Sequence, residues 1–369
     1  MRHLELPPGK SAREWGRIHG ESFRGEIKAL TQIRIYLCTK VGGFKSRDQV
    51  LEAARAHLPV LGRYHEGLSE ELLGIAEGAA MAPEEIVVTN HYTDLRDLDP
   101  DPSKWNPAPT KDDPRAEGHG TGASALGGDG CSAFLADTPT GVIVAQTWDM
   151  HATAIPYVMM LSVPESADGP AARLLTVTGC LGMAGMNSAR VALAINNLYS
   201  TDATLGIVWP AMVRRALHQT SAAAAYEVIK TSPIGSGHHY LVAGRDGAFA
   251  LEASGTRRKQ VFGGGASYCH TNHCLDGEVA ARSKVPETST TFDRMKLLEA
   301  APKVASLADA WQVLGSEDGW PKSICTNMAT PESPHGAATC GAIAMNLTTG
   351  EVWAQQGLVH NVAPEKFHV

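Results

Sequence analysis

Residues 127–150 read GGDGCSAFLADTPTGVIVAQTWDM. Glycines 127, 128 and 130 run straight into Cys131. Two short apolar runs follow, Cys131–Ala136 and Val142–Trp148, with turn residues between them, so the stretch predicts a β-hairpin opened by a cysteine. Glycines allow close backbone approach and strained dihedrals. A thiol attacking the carbonyl of its own preceding peptide bond needs both. Such an N-to-S shift followed by hydrolysis would separate Gly130 from Cys131 and leave Cys131 with a free α-amine. An α-amine titrates near 7.7–8.0, so one residue would then carry nucleophile and base together. The same cysteine also reads as a small buried side chain at a strand start.

Upstream, Asp97–Gly130 is crowded with Pro, Gly and Asp and has no periodicity, which predicts a long loop or linker. The first hundred residues read as helical. Ser11 and Glu14 form a capping box, followed by Trp15, Ile18, Phe23, Ile27 and Leu30 at helical spacing. Ser46–Leu58 and Ser69–Ala80 read as two more helices, ended near Pro59 and Pro83. Downstream the texture is β, with strands at Tyr157–Val163, Arg173–Val177 and Val191–Asn197. A helix is expected from Trp209 to about Lys230, and hairpins at Tyr240–Glu252 and Ala342–Gln356. Helices are expected again at Thr291–Ala300 and Ser306–Leu314. Strands and helix pairs in separate blocks give an α+β class, sheets covered by helices.

The 369-residue chain is 43% hydrophobic and 19% charged, enough to bury a large core. With 32 Lys and Arg against 39 Asp and Glu the net charge is −7, and no basic block occurs, which argues against a nucleic-acid partner. No apolar run nears the roughly 18 residues of a membrane span. The amino-terminal residues lack an apolar signal core, so the expectation is a cytoplasmic protein. Seven cysteines, an odd number without framework spacing, read as thiols.

The segment GCSAFLADTPTGVIVAQTWDM (130–150) resembles the processing and nucleophile motif of the isopenicillin N acyltransferase (acyl-coenzyme A:6-aminopenicillanic acid acyltransferase) family. These are N-terminal-nucleophile (Ntn) cysteine hydrolases, more distantly related to bile-salt hydrolases and acid ceramidase. The resemblance continues through Gly185-Met186-Asn187-Ser188, VALAINNL (191–198), HTNH (270–273) and Ser289–Arg294. It implies an αββα four-layer sandwich with two mainly antiparallel sheets. It also implies a precursor cut between Gly130 and Cys131: residues 1–130 as propeptide or α chain, 131–369 as catalytic β chain, the two staying associated. Carried over residue by residue, it makes Cys131 the nucleophile and, through its amine, the base. Asp149 would orient that amine. Asn272 would donate its amide to the oxyanion, Asn196 would be the second donor, and Arg294 would balance the carboxylate. The doublet Asn196-Asn197 leaves a register question, because only one of two neighbours on a strand faces a given side. Bile-salt hydrolases carry arginine where this chain has Gln146, which favours the acyltransferase branch. Asn187 and Glu252 read as structural.

A competing reading is a zinc site in Cys269-His270-Thr271-Asn272-His273-Cys274 with His238-His239. Its spacing is poor, because alternate strand faces receive too few good ligands each; no metal is expected. Met159, Met160, Met183 and Met186 read as core filler sooner than as an acyl pocket. No nucleotide-binding loop is present and no cofactor is expected. The expected activity is hydrolysis or transfer of the acyl group of a small N-acyl amide through a Cys131 thioester. An acyl-coenzyme A donor stays open. The alternative is an unprocessed, non-catalytic binding protein on the same fold.

Overall fold

The computed structural model describes residues 1–105, 130–360 and 362–369. Most of the expected Asp97–Gly130 linker therefore lies outside the described residues.

Two sheets make the centre of the molecule. The first has the spatial order β1 (Arg2–Glu5), β4 (Val158–Val163), β5 (Ala172–Val177), β6 (Ala184–Asn187), β7 (Ala192–Asn197), β8 (His238–Gly244), β9 (Gly247–Ala253) and β10 (Arg258–Gly263). The second runs β11 (Ser267–His270), β2 (Gly130–Thr138), β3 (Gly141–His151), β12 (Ala337–Asn346), β13 (Glu351–Gln356) and β14 (Glu365–His368). Every pairing is antiparallel except β1 with β4. The central strands are covered on both faces, so their mostly apolar residues are buried along the whole length, and the polar ones among them, such as Asn196, Asn197, His238 and His239, are buried too. All residues of β4, β7, β8 and β12 are buried.

The sheets face each other through β7 against β2 and β3. Helices α9 (Thr291–Glu299) and α10 (Leu307–Leu314) cover the second sheet, and α6 (Trp209–Ala216) and α7 (Ala222–Thr231) lie on the side of the first. A short α8 (Gly277–Ala280) follows β11. This is the αββα order expected from the sequence.

The amino-terminal helices α1 (Ala12–Ser22), α2 (Arg24–Val41), α3 (Arg47–Tyr64), α4 (Glu66–Ala79) and α5 (Pro83–Asp97) form a bundle on the first-sheet side. Asn90 Nδ2 on α5 donates to the Gly179 carbonyl (2.9 Å) and its Oδ1 accepts from Leu181 N (2.9 Å). His57 on α3 bonds the Gly206 carbonyl (2.9 Å). Arg214 on α6 makes a two-pronged, buried ion pair with Glu71 on α4 (2.9 and 3.1 Å).

Several elements differ from their expectation. β1 was not anticipated in a region read as helical: Arg2–Glu5 alternates half-buried and exposed residues and gains strand structure only by pairing with β4. Helix α3 runs through Pro59 to Tyr64, where a stop was expected; Pro59 is exposed, so water can serve the carbonyl it leaves unbonded. The expected helix 209–230 is two. Ser221 caps α7 by accepting from Ala224 N, and the Asp246 carboxylate accepts from Ala222 N and Ala223 N. Among the described residues no helix is long and apolar enough to cross a membrane.

Candidate active site

The β2–β3 hairpin pairs Gly130 with Asp149 and Cys131 with Trp148, so the nucleophile candidate and its carboxylate sit side by side across two strands. Cys131 is 4% exposed. Its backbone is held on both sides. Its N–H donates to Asn272 Oδ1 (2.7 Å). Its carbonyl accepts from Arg294 Nη1 (2.7 Å) and Asn196 Nδ2 (3.0 Å). Arg294, buried on α9, also donates from Nη2 to Asn272 Oδ1 (2.8 Å), from Nη1 to Ser132 Oγ (3.1 Å) and from Nε to Thr290 Oγ1 (2.9 Å). The five expected residues therefore converge on one point.

Asp149 is fully enclosed, and burial pushes its carboxyl up to about 6 against the opposing pull of Arg294 and the hydroxyls of Thr339 and Thr147. Its Oδ1 has no hydrogen-bond partner among the described residues. Gly130 fits here because it has no side chain: a Cβ would stand 3.1 Å from Asp149 Oδ2 and 3.2 Å from Arg294 Nη2. The carboxylate thus lies beside Gly130, the residue preceding Cys131.

Two expected roles need correction. Asn272 was expected to present its amide nitrogen to a developing oxyanion. That nitrogen instead donates to the Asn197 carbonyl (2.8 Å), and the two donors at Cys131 N and Arg294 fix the oxygen end toward the cysteine. Asn196 was favoured as the second oxyanion donor. Its Nδ2 is shared between the carbonyls of Cys131 and His270 (3.3 Å), and it is 0% exposed. Its neighbour Asn197, on the opposite strand face, lines the cleft beside Cys131.

That cleft is a narrow, partly open one, with a cavity volume of about 30 Å³. Trp148, Met150, Met183, Ile195 and Trp209 give it apolar walls. Of the methionines weighed from sequence, Met183 lines it, whereas Met159, Met160 and Met186 are fully buried core. The amino-terminal helices supply Arg34, Asn90, Tyr92 and Thr93 to the same cleft, and β8 adds His238, bonded through Nε2 to Asp94 Oδ1 (2.7 Å). Apart from His238, which the zinc reading named, none of these was singled out from sequence. The available signal was α5 itself, in which Thr89-Asn90-His91 and Thr93-Asp94 occupy buried positions where a core helix would carry apolar residues.

The metal-like run resolves into hydrogen bonds. His270 Nδ1 faces the Thr271 carbonyl (2.7 Å) and Nε2 faces Glu252 Oε1 (2.8 Å); Glu252 also accepts from Leu275 N and Asp276 N. Among the described residues no group of three or more His, Cys, Asp or Glu side chains converges as a metal site would require. Asn187, read as structural, donates to the Leu217 and Gln219 carbonyls, and Gln146 Oε1 accepts from Ile195 N (2.8 Å) across the two sheets.

A two-sheet αββα protein with a buried cysteine opening an inner strand is the class this geometry defines. Residues 136–352 match the family described as acyl-coenzyme A:6-aminopenicillanic acid acyl-transferase, and the chain belongs to that family. The 40 kDa form of the acyl-coenzyme A:6-aminopenicillanic-acid-acyltransferase of Emericella nidulans is 27% identical over 321 residues, covering 85% of this chain and 81% of that protein. Among solved structures, penicillin V acylase from Agrobacterium tumefaciens aligns with a TM-score of 0.41 at 12% identity, over 65% of this chain and 85% of that one. A mutant of the conjugated bile acid hydrolase from Clostridium perfringens aligns with a TM-score of 0.40 at 12% identity, over 65% of this chain and 92% of that one.

Proposed function

We propose that this chain is a self-processing cysteine acyltransferase or amidase of the N-terminal-nucleophile type. It would cut its own Gly130–Cys131 bond and then turn over a small N-acyl amide through a thioester on Cys131. The observation that carries the reading is the grip on Cys131. Its N–H is on Asn272, its carbonyl on Arg294 and Asn196, and a buried carboxylate lies against Gly130.

In processing, Cys131 Sγ bonds to the Gly130 carbonyl carbon, the C–N bond breaks, and the thiol proton passes to the departing Cys131 nitrogen. Water then hydrolyses the Gly130 thioester, regenerating the thiol and freeing the Gly130 carboxylate. The new α-ammonium meets Asp149, so the two buried charges neutralise each other. In turnover the amine, in its free-base form, takes the thiol proton and the sulfur attacks the substrate carbonyl. Asn197, which lines the cleft beside Cys131, is the side chain best placed to donate to the oxyanion. The amine leaving group takes the proton back, and water or a second amine resolves the thioester. The apolar walls suit the acyl group. Support for acyl chemistry comes from family membership and from the named activity of the Emericella nidulans relative, which makes acyl-coenzyme A a donor to assay.

The test is intact mass of purified protein under denaturing conditions, with Cys131→Ala beside it. Two fragments, 1–130 and 131–369, from the wild type and one full-length mass from the variant are expected. A Cys131→Ala protein that is still cut and still active removes the mechanism. A wild type that stays whole and inactive favours the binding-protein reading.

A further inference from the structure

Behind the nucleophile a column of rings crosses from the first sheet to the second. His239 on β8 stacks on His270 on β11, with centroids 3.7 Å apart and planes 5° from parallel. His239 Nδ1 lies 2.8 Å from Asn196 Oδ1, and its Nε2 lies 3.1 Å from the Tyr268 hydroxyl. Both histidines and Asn196 are 0% exposed. The donor roles follow from the partners. Asn196 Nδ2 points at two carbonyl oxygens, which only accept, so its Oδ1 must accept from His239. His239 then carries its proton on Nδ1 and accepts the Tyr268 O–H at Nε2. Burial, aided by His270, holds its basicity well below the ordinary histidine range, which suits a neutral ring.

We propose that His239 is a positioning residue. It fixes which end of the Asn196 amide faces Cys131, and so helps hold the nucleophile's carbonyl in place together with Arg294. This rests on the reading of Cys131 as the nucleophile. A flipped Asn196 amide would aim its oxygen at the carbonyls of Cys131 and His270 and its nitrogen at the His239 N–H, so three favourable contacts would become repulsive. Tyr268 keeps the His239 ring from turning, and stacking on His270 fixes its plane. His270 is itself pinned between Glu252 and the Thr271 carbonyl, on the segment that leads directly to Asn272. Asn196 and Asn272, which grip the two ends of residue 131, are thereby set by one connected arrangement.

The experiment compares His239→Asn with His239→Gln in the full chain. An asparagine amide nitrogen falls near the place of Nδ1, a glutamine's near Nε2. The asparagine variant should retain most of the Gly130–Cys131 cleavage rate and of kcat. The glutamine variant should lose about 10- to 100-fold in both, the scale of a misplaced reacting group, with KM little changed. Equal rates in the two variants overturn the proposal. A readout independent of activity is the nitrogen NMR signature of His239. A ring protonated on Nδ1 and bare on Nε2 is expected, and the opposite tautomer overturns the proposal even in a protein that never cleaves. Absence of cleavage and turnover in the wild type is a failure of the nucleophile reading, and the tautomer reports separately from it.

Discussion

Asp149 is a buried carboxyl group whose proposed partner, the α-amine of Cys131, would form only on cleavage. Its elevated titration, about 6 against an ordinary value of 3.8, comes first from burial. In the uncleavable Cys131→Ala protein no α-amine forms to neutralise it. A carboxyl whose folded pKa is raised binds its proton more tightly folded than unfolded, so stability falls as pH rises from about 4 to 6 and stays reduced above. Buried imidazoles held below their ordinary value, such as His19, His91 and His218, run the other way over part of that range. The comparison must therefore be between Cys131→Ala and Cys131→Ala with Asp149→Asn. At pH 7 the double variant should be more stable by about 2–3 kcal/mol, a few °C in Tm for a chain of this size, and at pH 4 the difference should vanish. A constant difference across that range contradicts the assignment. Arg294 tests the other side of the residue. Its Nη1 reaches the Cys131 carbonyl and the Ser132 hydroxyl and its Nη2 reaches Asn272, so Arg294→Lys keeps the charge but cannot make all three contacts. Cleavage, followed by mass against time, should slow at least about 100-fold, the cost of losing one directed donor at a reacting centre.

At the scale of elements, the hairpin around Cys131 was readable because turn residues bracket apolar runs, and β2 and β3 formed where expected. The site's carboxylate, asparagines and arginine were readable as an ordered set of motifs. What the motifs could not convey was orientation. Which end of Asn272 faces the cysteine, and whether Asn196 or Asn197 faces the cleft, depend on partners brought in from β8, β11 and α9. Helix α5 lies in the region read as helical but was not delimited there, because nearly every residue from Ile86 to Arg96 is buried and no polar face marks its period. The pairing of α1 with α4 escaped for another reason: its signal is small residues rather than apolar ones. A Cβ on Gly16 would lie 2.0 Å from the Glu71 carbonyl, and one on Gly74 would lie 2.2 Å from that of Arg13. Gly74→Ala should therefore separate the helices and cost about 1–3 kcal/mol in denaturant unfolding. Gly25→Ala, with open space around the added carbon, should be neutral or stabilise by up to about 1 kcal/mol. Equal effects would mean the close approach of α1 and α4 is not a requirement of the fold.

Across the whole molecule, the proposed cut would divide a structure whose two parts share one sheet, one core and one cleft. Residues before the cut supply β1 to the first sheet and Arg34, Asn90, Tyr92 and Thr93 to the cleft. Residues after it supply Cys131, Asp149 and Asn197. The 131–369 fragment alone should then be inactive, and the two fragments should elute together until denaturant is added. The Glu71–Arg214 pair is the most exacting link between them, because both partners are 2% exposed and each is the other's counter-charge. Removing one leaves a buried charge without its mate, a loss of about 3–5 kcal/mol, whereas replacing both by apolar groups of similar size removes the desolvation cost as well. Glu71→Ala should lower the urea concentration at which the cleaved fragments separate, and Glu71→Leu combined with Arg214→Met should restore most of it. If Glu71→Ala separates no earlier than wild type, the ion pair does not hold the halves together. The weight would then fall on the apolar core between α5 and the first sheet.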